Sequence, residues 1–548
     1  MNDKFLKEDE ILILIRELFE KWKKVRVRRF MVDKEIIFSP VYLGINLKKI
    51  KNFSVISENG GLVNDLKKPT EYTHIGFCVT VGIGDFDHPK ANGLGMGHYT
   101  DRTSLKLNAL KKNINKAIDG AFKMALSEYF QHHSQISEYK KDKEFQKLSR
   151  GESTNYYDAE KRLIWNSEKI AQVIEEAENL ISKNKKIKHS KLEFSITEEN
   201  RWFASLERQI NGKEAKNKIF TSDIHGFINW MIIVKDIKGR DIKFYETRKL
   251  TDDFDYKKEI DNLQRTMEDL AEKFHKAPEL ESGLYRTVLS PETTYTIFHE
   301  GFGAHLASAR LIDEEGATAF KAKLGQKILP DNIDIIDDPT MENCFGSYQF
   351  DDEGQPAKKV VLIENGILRG YLHDRVSAGR DGIGSNGHAR AEFGEIPEAR
   401  TANMIVSSKK SLSSDEIFKM MIEALKRHNE PFGLYINGRS GEVEIESGQF
   451  KIYVSEFYKI YPDGKIEPVS SAFISGSAYE TLNQVKAVGN NLTECIGHCG
   501  SSSGWVRASG LCPSVYFRKI QVLSSAENPD ADSLMDSDDG EDNGKNEF

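Results

Sequence analysis

The sequence predicts an α+β chain in two parts: an N-terminal mixed α/β domain with long helices over residues 1–281, and a C-terminal antiparallel β-rich domain over 282–525. Three observations carry this. Stretches with apolar residues three and four apart concentrate before Ser282, and strand runs broken by turn dipeptides dominate after it. The length of 548 residues also allows about three to five units at roughly 100–200 residues each.

In order along the chain, the N-terminal MNDKFLKEDEILILIRELFEKWKK reads as an amphipathic helix, since charges flank a short apolar run and leave no secretory core. HIGFCVTVGIG (74–84) is β-branched and bounded by glycine, which predicts a strand. Thr103 to about Ile136 predicts a long amphipathic helix, and a second helical stretch covers about 158–182. SKNKKIKHSK after it reads as a solvated loop, 192–250 alternates as strands do, and 256–277 is a charged helical segment. Beyond Ser282 one helix is predicted at 413–428, capped by Ser413 or Ser414. Asn365-Gly366 and Asp463-Gly464 lie between apolar runs and suit the positive-φ positions of type I′ hairpin turns.

The net charge of −8 has one address: Ala526–Phe548 holds nine acids and one base, so the preceding 525 residues carry 76 bases against 76 acids. A balanced body offers no global field for nucleic acid or an anionic membrane, and nucleic-acid binding is not expected. The tail at 526–548 is too acidic and too poor in apolar residues to fold. As an unstructured segment it is expected to visit, or be trimmed by, a cleft accepting such segments. Five scattered cysteines do not make a disulfide scaffold and point to a reducing, cytoplasmic setting. No apolar run approaches the roughly 18 residues of a membrane span.

The sharpest chemical signal is Tyr295-Thr-Ile-Phe-His299-Glu300-Gly-Phe-Gly-Ala-His305. Zinc peptidases place two histidines at i and i+4 of a helix so that both rings reach one metal, with a glutamate to polarise its water. Here the second histidine is at i+6; six residues turn about 600°, which leaves the rings roughly 120° apart on a regular helix. Gly301 and Gly303 weaken the helix and permit a bulge that re-aims His305. By itself the motif is open between a metal site and a core-packed histidine.

The stretch from Gly283 to about Val522 resembles the TldD/PmbA family of metallopeptidases, also described as modulators of DNA gyrase. The resemblance is carried by LSPETTYTIFHEGFGAHL, IIDDPT (335–340), DDEGQPAKKVVLIENGILRGYLHDRVSAGR (351–380), SNGHARAEFGEIPEARTANMIV (385–406), SGEVEIESGQFKIYVSEFYKI (440–460) and AVGNNLTECIGHCGSSSG (487–504). It implies His299 as first metal ligand, Glu300 as catalytic base and Cys499 as a further ligand. The TldD-type pattern is HExxxH, one residue shorter than the HExxxxH here, so His305 either joins the site through a local insertion or is lost from it. The implied cofactor is one Zn²⁺ per chain, and the implied substrate an unfolded peptide segment in a cleft enclosed by a homodimer or a heterodimer with a PmbA-like subunit. PmbA-type subunits lack the metal motif, so a catalytically inactive scaffold or regulatory subunit is the alternative. Arg400 and Asn403, in EARTANMIV, resemble a segment near the active cleft and are candidates for substrate contact or structural bonding.

Other features read more plainly. Cys495 lies four residues before Cys499, but a closed structural zinc site needs four ligands and no second cysteine pair exists. His498 neighbours Cys499 and, in an extended segment, points the opposite way. NGLGMGHY (92–99) matches neither nucleotide-binding glycine pattern and reads as a flexible loop. Asp85, Asp87 and His88 near His98 form a small cluster, better read as solvated than as a cation site. The basic run 21–29 reads as a helix end followed by the polar face of a strand, with Val25 and Val27 inward.

Overall fold

The computed structural model describes residues 4–31, 34–63, 70–85, 94–134, 148–149, 153–158, 167–208, 213–251, 255–303, 320, 323–438, 441–444, 449–454 and 456–524. The chain is mixed α+β with strands dominant, and its sheets divide along the sequence. One nine-stranded sheet uses strands between Val27 and Lys249; the other three sheets use strands between Gly283 and Ser524. His305, Asp87, His88 and the acidic tail lie outside the described residues.

The first sheet is built on long antiparallel strands, with Gly95–Arg102, Thr70–Asp85, Lys34–Glu58, Ile187–Arg208 and Glu214–Lys235 adjacent in that order. Helices Glu8–Trp22 and Leu107–Ser134 cover one core on it; Ser167–Ile181 and Tyr256–Phe274 cover another. Of the segment 92–99, residues 92 and 93 lie outside the described residues; its glycines at 95 and 97 are explained here, against the loop expectation. Gly95 and Gly97 sit in a strand under the long helix, where a Cβ would come within 2.1 Å of the Ala125 carbonyl and 2.0 Å of the Ala121 carbonyl. The composition looks loop-like because the helix backbone takes the side-chain space. The lysine-rich segment is also only half a loop. A strand begins at Ile187 and buries Ser190, while Lys188 pairs with Asp241 at the surface.

The basic run ends its helix at Trp22 and enters the strand Val27–Met31, in line with the sequence pattern. Its charges are matched locally: Lys23 bonds Glu214 at 3.0 Å and Arg28 faces Glu35 at 3.9 Å. Among the described residues no helix is long and apolar enough to cross a membrane.

In the second half, a nine-stranded and a six-stranded sheet enclose a single core that includes Ile297, Phe298, Phe302, Ile335, Met404, Ile474 and Val515. Pairing is mostly antiparallel, with two parallel contacts, Gly283–Leu289 to Gly433–Asn437 and Asn403–Ser408 to Gly504–Cys512. Asn365 and Gly366 both have positive φ (50° and 76°), as a type I′ turn requires. At Asp463-Gly464 only Gly464 does, at 88°. That loop is longer, closed by Tyr461 N donating to Lys465 O at 2.9 Å, so Asp463 escapes the left-handed region and the type I′ expectation fails there. Helix Ser414–His428 begins at the capping box of Ser413 and Glu416.

The two halves meet through buried charge. Asp352 receives Lys48 Nζ at 3.0 Å and Arg201 Nη1 at 2.7 Å, and Lys48 also donates to Ala391 O at 2.7 Å. Burial opposes ionisation of this carboxylate, but the two cations hold it well below the usual range. Removing one member strands the others without water. Asp352→Asn is therefore expected to lower stability by about 3–5 kcal/mol at pH 7. The folded pKa is depressed, so this contribution is present above the unfolded pKa of about 3.9 and is lost as pH falls through the folded value; the deficit of the variant should shrink in acid. Chemical denaturation of both proteins at pH 7 and pH 3 measures it, and an equal deficit at both pH values would contradict the assignment.

Candidate active site

The helix that leads to His299 is defined at its start. Ser290 Oγ accepts the Thr293 amide at 3.2 Å, and Pro291 fills the first turn, where its missing N–H costs nothing. From Pro291 to Phe298 the helix is α; from His299 to Gly303 it widens into a π turn. Such a turn accommodates an extra residue and re-phases the residues after it, which is the distortion that Gly301 and Gly303 were expected to permit. The continuation that carries His305 lies outside the described residues.

Tyr295 sets the depth of this helix. Its ring lies against the strands Thr493–Ser501 and Gly504–Cys512 at positions that have no side chain. A Cβ on Gly510 would come within 2.2 Å of Tyr295 Cδ2, whereas one on Gly497 would sit 4.0 Å from Cε1. Burial first, then the neighbouring Cys499, Cys512 and Cys495, push the Tyr295 hydroxyl pKa up. One turn on, the His299 ring stands 5.2 Å from the Tyr295 ring, tilted by 52°. Both glycines are interior to strands, a sign of close approach that was readable in the sequence and was missed, as was Tyr295 itself, four residues before His299.

His299 is 6% exposed, and its Nδ1 is buried without a hydrogen-bond partner. Burial lowers the imidazole pKa; the Glu300 carboxylate opposes this, Arg400 reinforces it and Asp337 opposes it. The ring is thus neutral at pH 7, the form that binds a metal. Glu300 follows, half-buried. Cys499 is buried on Thr493–Ser501, the edge strand of the six-stranded sheet. Strand alternation puts Cys495, Gly497 and Cys499 on the face that Tyr295 covers and His498 on the other, where it meets Phe227 and Phe345 edge-on at 6.0 and 5.5 Å.

Arg400 and Asn403 are both buried and engaged within the chain. Arg400 donates to Ser503 Oγ at 2.7 Å, to Gly504 O at 2.9 Å and to Cys499 O, leaving its Nε without a partner. Asn403 donates to Asp338 O and Ser347 Oγ, each at 2.9 Å, and accepts from Ser509 Oγ at 2.7 Å. Behind them, Asp337 gathers Thr401 Oγ1, the Ala402 amide at 3.0 Å and His388 Nε2 at 3.2 Å. Burial works against its ionisation, yet these bonds hold its carboxyl below the ordinary value. Its role was not legible in IIDDPT, because its partners lie more than fifty residues away.

The donor chemistry suits a zinc-type ion: a neutral imidazole with an orphaned buried nitrogen, and a buried thiol whose strand packs against the same helix. Among the described residues, no group of three or more His, Cys, Asp and Glu side chains gathers to complete a site. Gly510→Ala is expected to drive the Tyr295 ring off its seat and to destabilise by about 1–3 kcal/mol, as overpacking does. Gly497→Ala, meeting the ring at ordinary contact distance, should be tolerated. Thermal unfolding of the two variants checks the contrast, and equal midpoints would count against the seat.

Residues 282–524 match the model of the PmbA/TldA metallopeptidase C-terminal domain. The chain is 36% identical over 268 residues to a metalloprotease of Methanothermobacter thermautotrophicus, covering 48% of this chain and 56% of that one. It is 33% identical over 223 residues to the metalloprotease TldD homolog of Buchnera aphidicola, covering 40% and 44%. The match thus spans about half the length of these curated relatives. Among solved structures, TldE from Thermococcus kodakarensis superposes with a TM-score of 0.59 at 16% identity over 88% of this chain and 96% of that one, a likeness of fold. By the family model and these relatives, residues 282–524 are a C-terminal domain of the TldD/PmbA family.

Proposed function

We propose that this chain is a zinc-dependent peptidase that hydrolyses unfolded peptide segments, with His299, Cys499 and His305 holding the ion and Glu300 acting as general base. The carrying observation is the buried, unpartnered Nδ1 of a neutral His299 on a π turn whose helix packs against the Cys499 strand. When bound, zinc supplies a Lewis acid and lowers the pKa of its water to about 7. Glu300, half-buried beside His299, takes up a proton at its carboxylate and returns it to the leaving amine. His299 is oriented by Tyr295, and Cys499 is carried on the last strand of the six-stranded sheet among the described residues, beside a sheet to which an extended peptide would add as a strand. Recognition by strand addition reads backbone rather than sequence, which suits unfolded substrates. Arg400 and Asn403 enter this reading at the cleft through their buried bonds to the Cys499 hairpin and its neighbour strands.

A homodimer, or a heterodimer with a PmbA-like subunit, would enclose the cleft, and the five unpaired cysteines suit a cytoplasmic setting. The second reading, an inactive scaffold or regulatory subunit, is favoured by one observation, the i+6 spacing of His299 and His305.

The purified protein should carry about one equivalent of zinc, lost in His299→Ala and Cys499→Ala. Glu300→Gln should keep the metal and slow hydrolysis of an unfolded peptide by about 10²–10⁴-fold, the usual scale of general-base catalysis. Metal analysis and a peptide-cleavage assay decide between the readings: a metal-free wild-type protein sinks the first, and an unaltered rate in Glu300→Gln supports the second.

A further inference from the structure

A hairpin clasps the hairpin that carries Cys499. The two-stranded sheet of Ala389–Arg390 and Glu398–Ala399 presents Glu398 and Arg400 to the turn at 501–504. Glu398 accepts from Ser501 Oγ, from Ser502 Oγ at 2.8 Å and from the Ser503 amide at 3.1 Å. Arg400 lies 3.8 Å from Glu398 and spans the base of the same turn, its two terminal nitrogens reaching Ser503 Oγ, Gly504 O and the carbonyl of Cys499 itself. Arg400 as a whole is 1% exposed. A serine-rich turn next to an edge strand would otherwise be free to splay; three carboxylate bonds and three guanidinium bonds at one turn leave it a single shape. We infer that Arg400 is a positioning residue: the Arg400–Glu398 clasp fixes the backbone of Cys499 so that its sulfur is held in place for the metal, and the ligand is preorganised rather than ordered by binding.

This rests on the zinc reading, and the test separates the two. Cobalt is titrated into metal-free protein, following the sulfur-to-cobalt charge-transfer absorption, which reports ligation by Cys499 and not activity. Arg400→Lys keeps the charge and loses the planar fork. It should weaken cobalt binding by about 10–100-fold, the usual cost of removing a ligand's support, and diminish the sulfur band. Ser503→Ala, which removes one of Arg400's partners at the turn, should give a smaller loss in the same direction and serves if Arg400→Lys fails to fold. Met267→Ala is the control for general destabilisation, since it opens a cavity in the core under helix Tyr256–Phe274, in the first half of the chain and away from the clasp. A sulfur band present in the wild type, lost in Cys499→Ala and intact at full affinity in both clasp variants overturns the inference alone. An equal loss in Met267→Ala and Arg400→Lys also overturns it. A wild-type protein without the band overturns the zinc reading and this inference with it.

Discussion

The ring of Tyr295 rests where two strands have no side chains, and the geometry of the whole site descends from that contact. A helix laid on a sheet normally stands off by the depth of a side-chain layer; glycine at 510, with Gly497 diagonal to it on the paired strand, lets the ring into that layer. The helix is then fixed in depth and rotation at once. His299, one turn further, follows the ring, and Cys499 follows the strands. Polar residues near the end of this helix are thereby carried into the interior, where His299 loses water and keeps a nitrogen without a partner. The strain of such burial is met by the core beside it, since Ile297, Phe298 and Phe302 all turn into the apolar layer between the two sheets.

The same logic of buried polarity recurs at three levels. At the site, a guanidinium and a carboxylate saturate the turn that follows Cys499. Behind it, Asp337 ties together 388 and 401–403 by accepting from four groups on two separate segments. Between the halves, Asp352 joins the paired strands of Lys48 and Arg201 to a segment 304 and 151 residues further along the chain. Each arrangement gains specificity from the cost of leaving any member unpaired, so each fixes one relative placement of the segments it joins. A surface assembled from distant segments depends on such points more than on added apolar area, which is tolerant of small slips.

Much of the fold was legible. Periodicity placed the helices near 107–134, 256–274 and 414–428, and Asn365-Gly366 marked its hairpin, because these features depend on residues adjacent in sequence. The misreadings share a cause. Gly95 and Gly97 look like a loop until a helix is laid across them, and the lysines around 187–191 look solvated until the strand's alternate face is buried. At Asp463-Gly464 the dipeptide was right for a turn and the loop length decided which turn.

The sequence by itself determined the chemistry on offer: a His-Glu pair after an apolar lead-in, a distant cysteine in a glycine-bordered strand, and a spacing that a regular helix cannot use. It determined as well that the body is electrically balanced, with its excess charge confined to residues 526–548. Only the tertiary structure decided that the helix opens into a π turn at His299, that the Tyr295 ring is seated against Gly510, and that Arg400 and Asn403 make their hydrogen bonds inside the chain. The reason is physical. Residue type and local spacing set which groups can ionise, ligate or turn, but which of them lose water, and beside whom, depends on packing between segments a hundred or more residues apart.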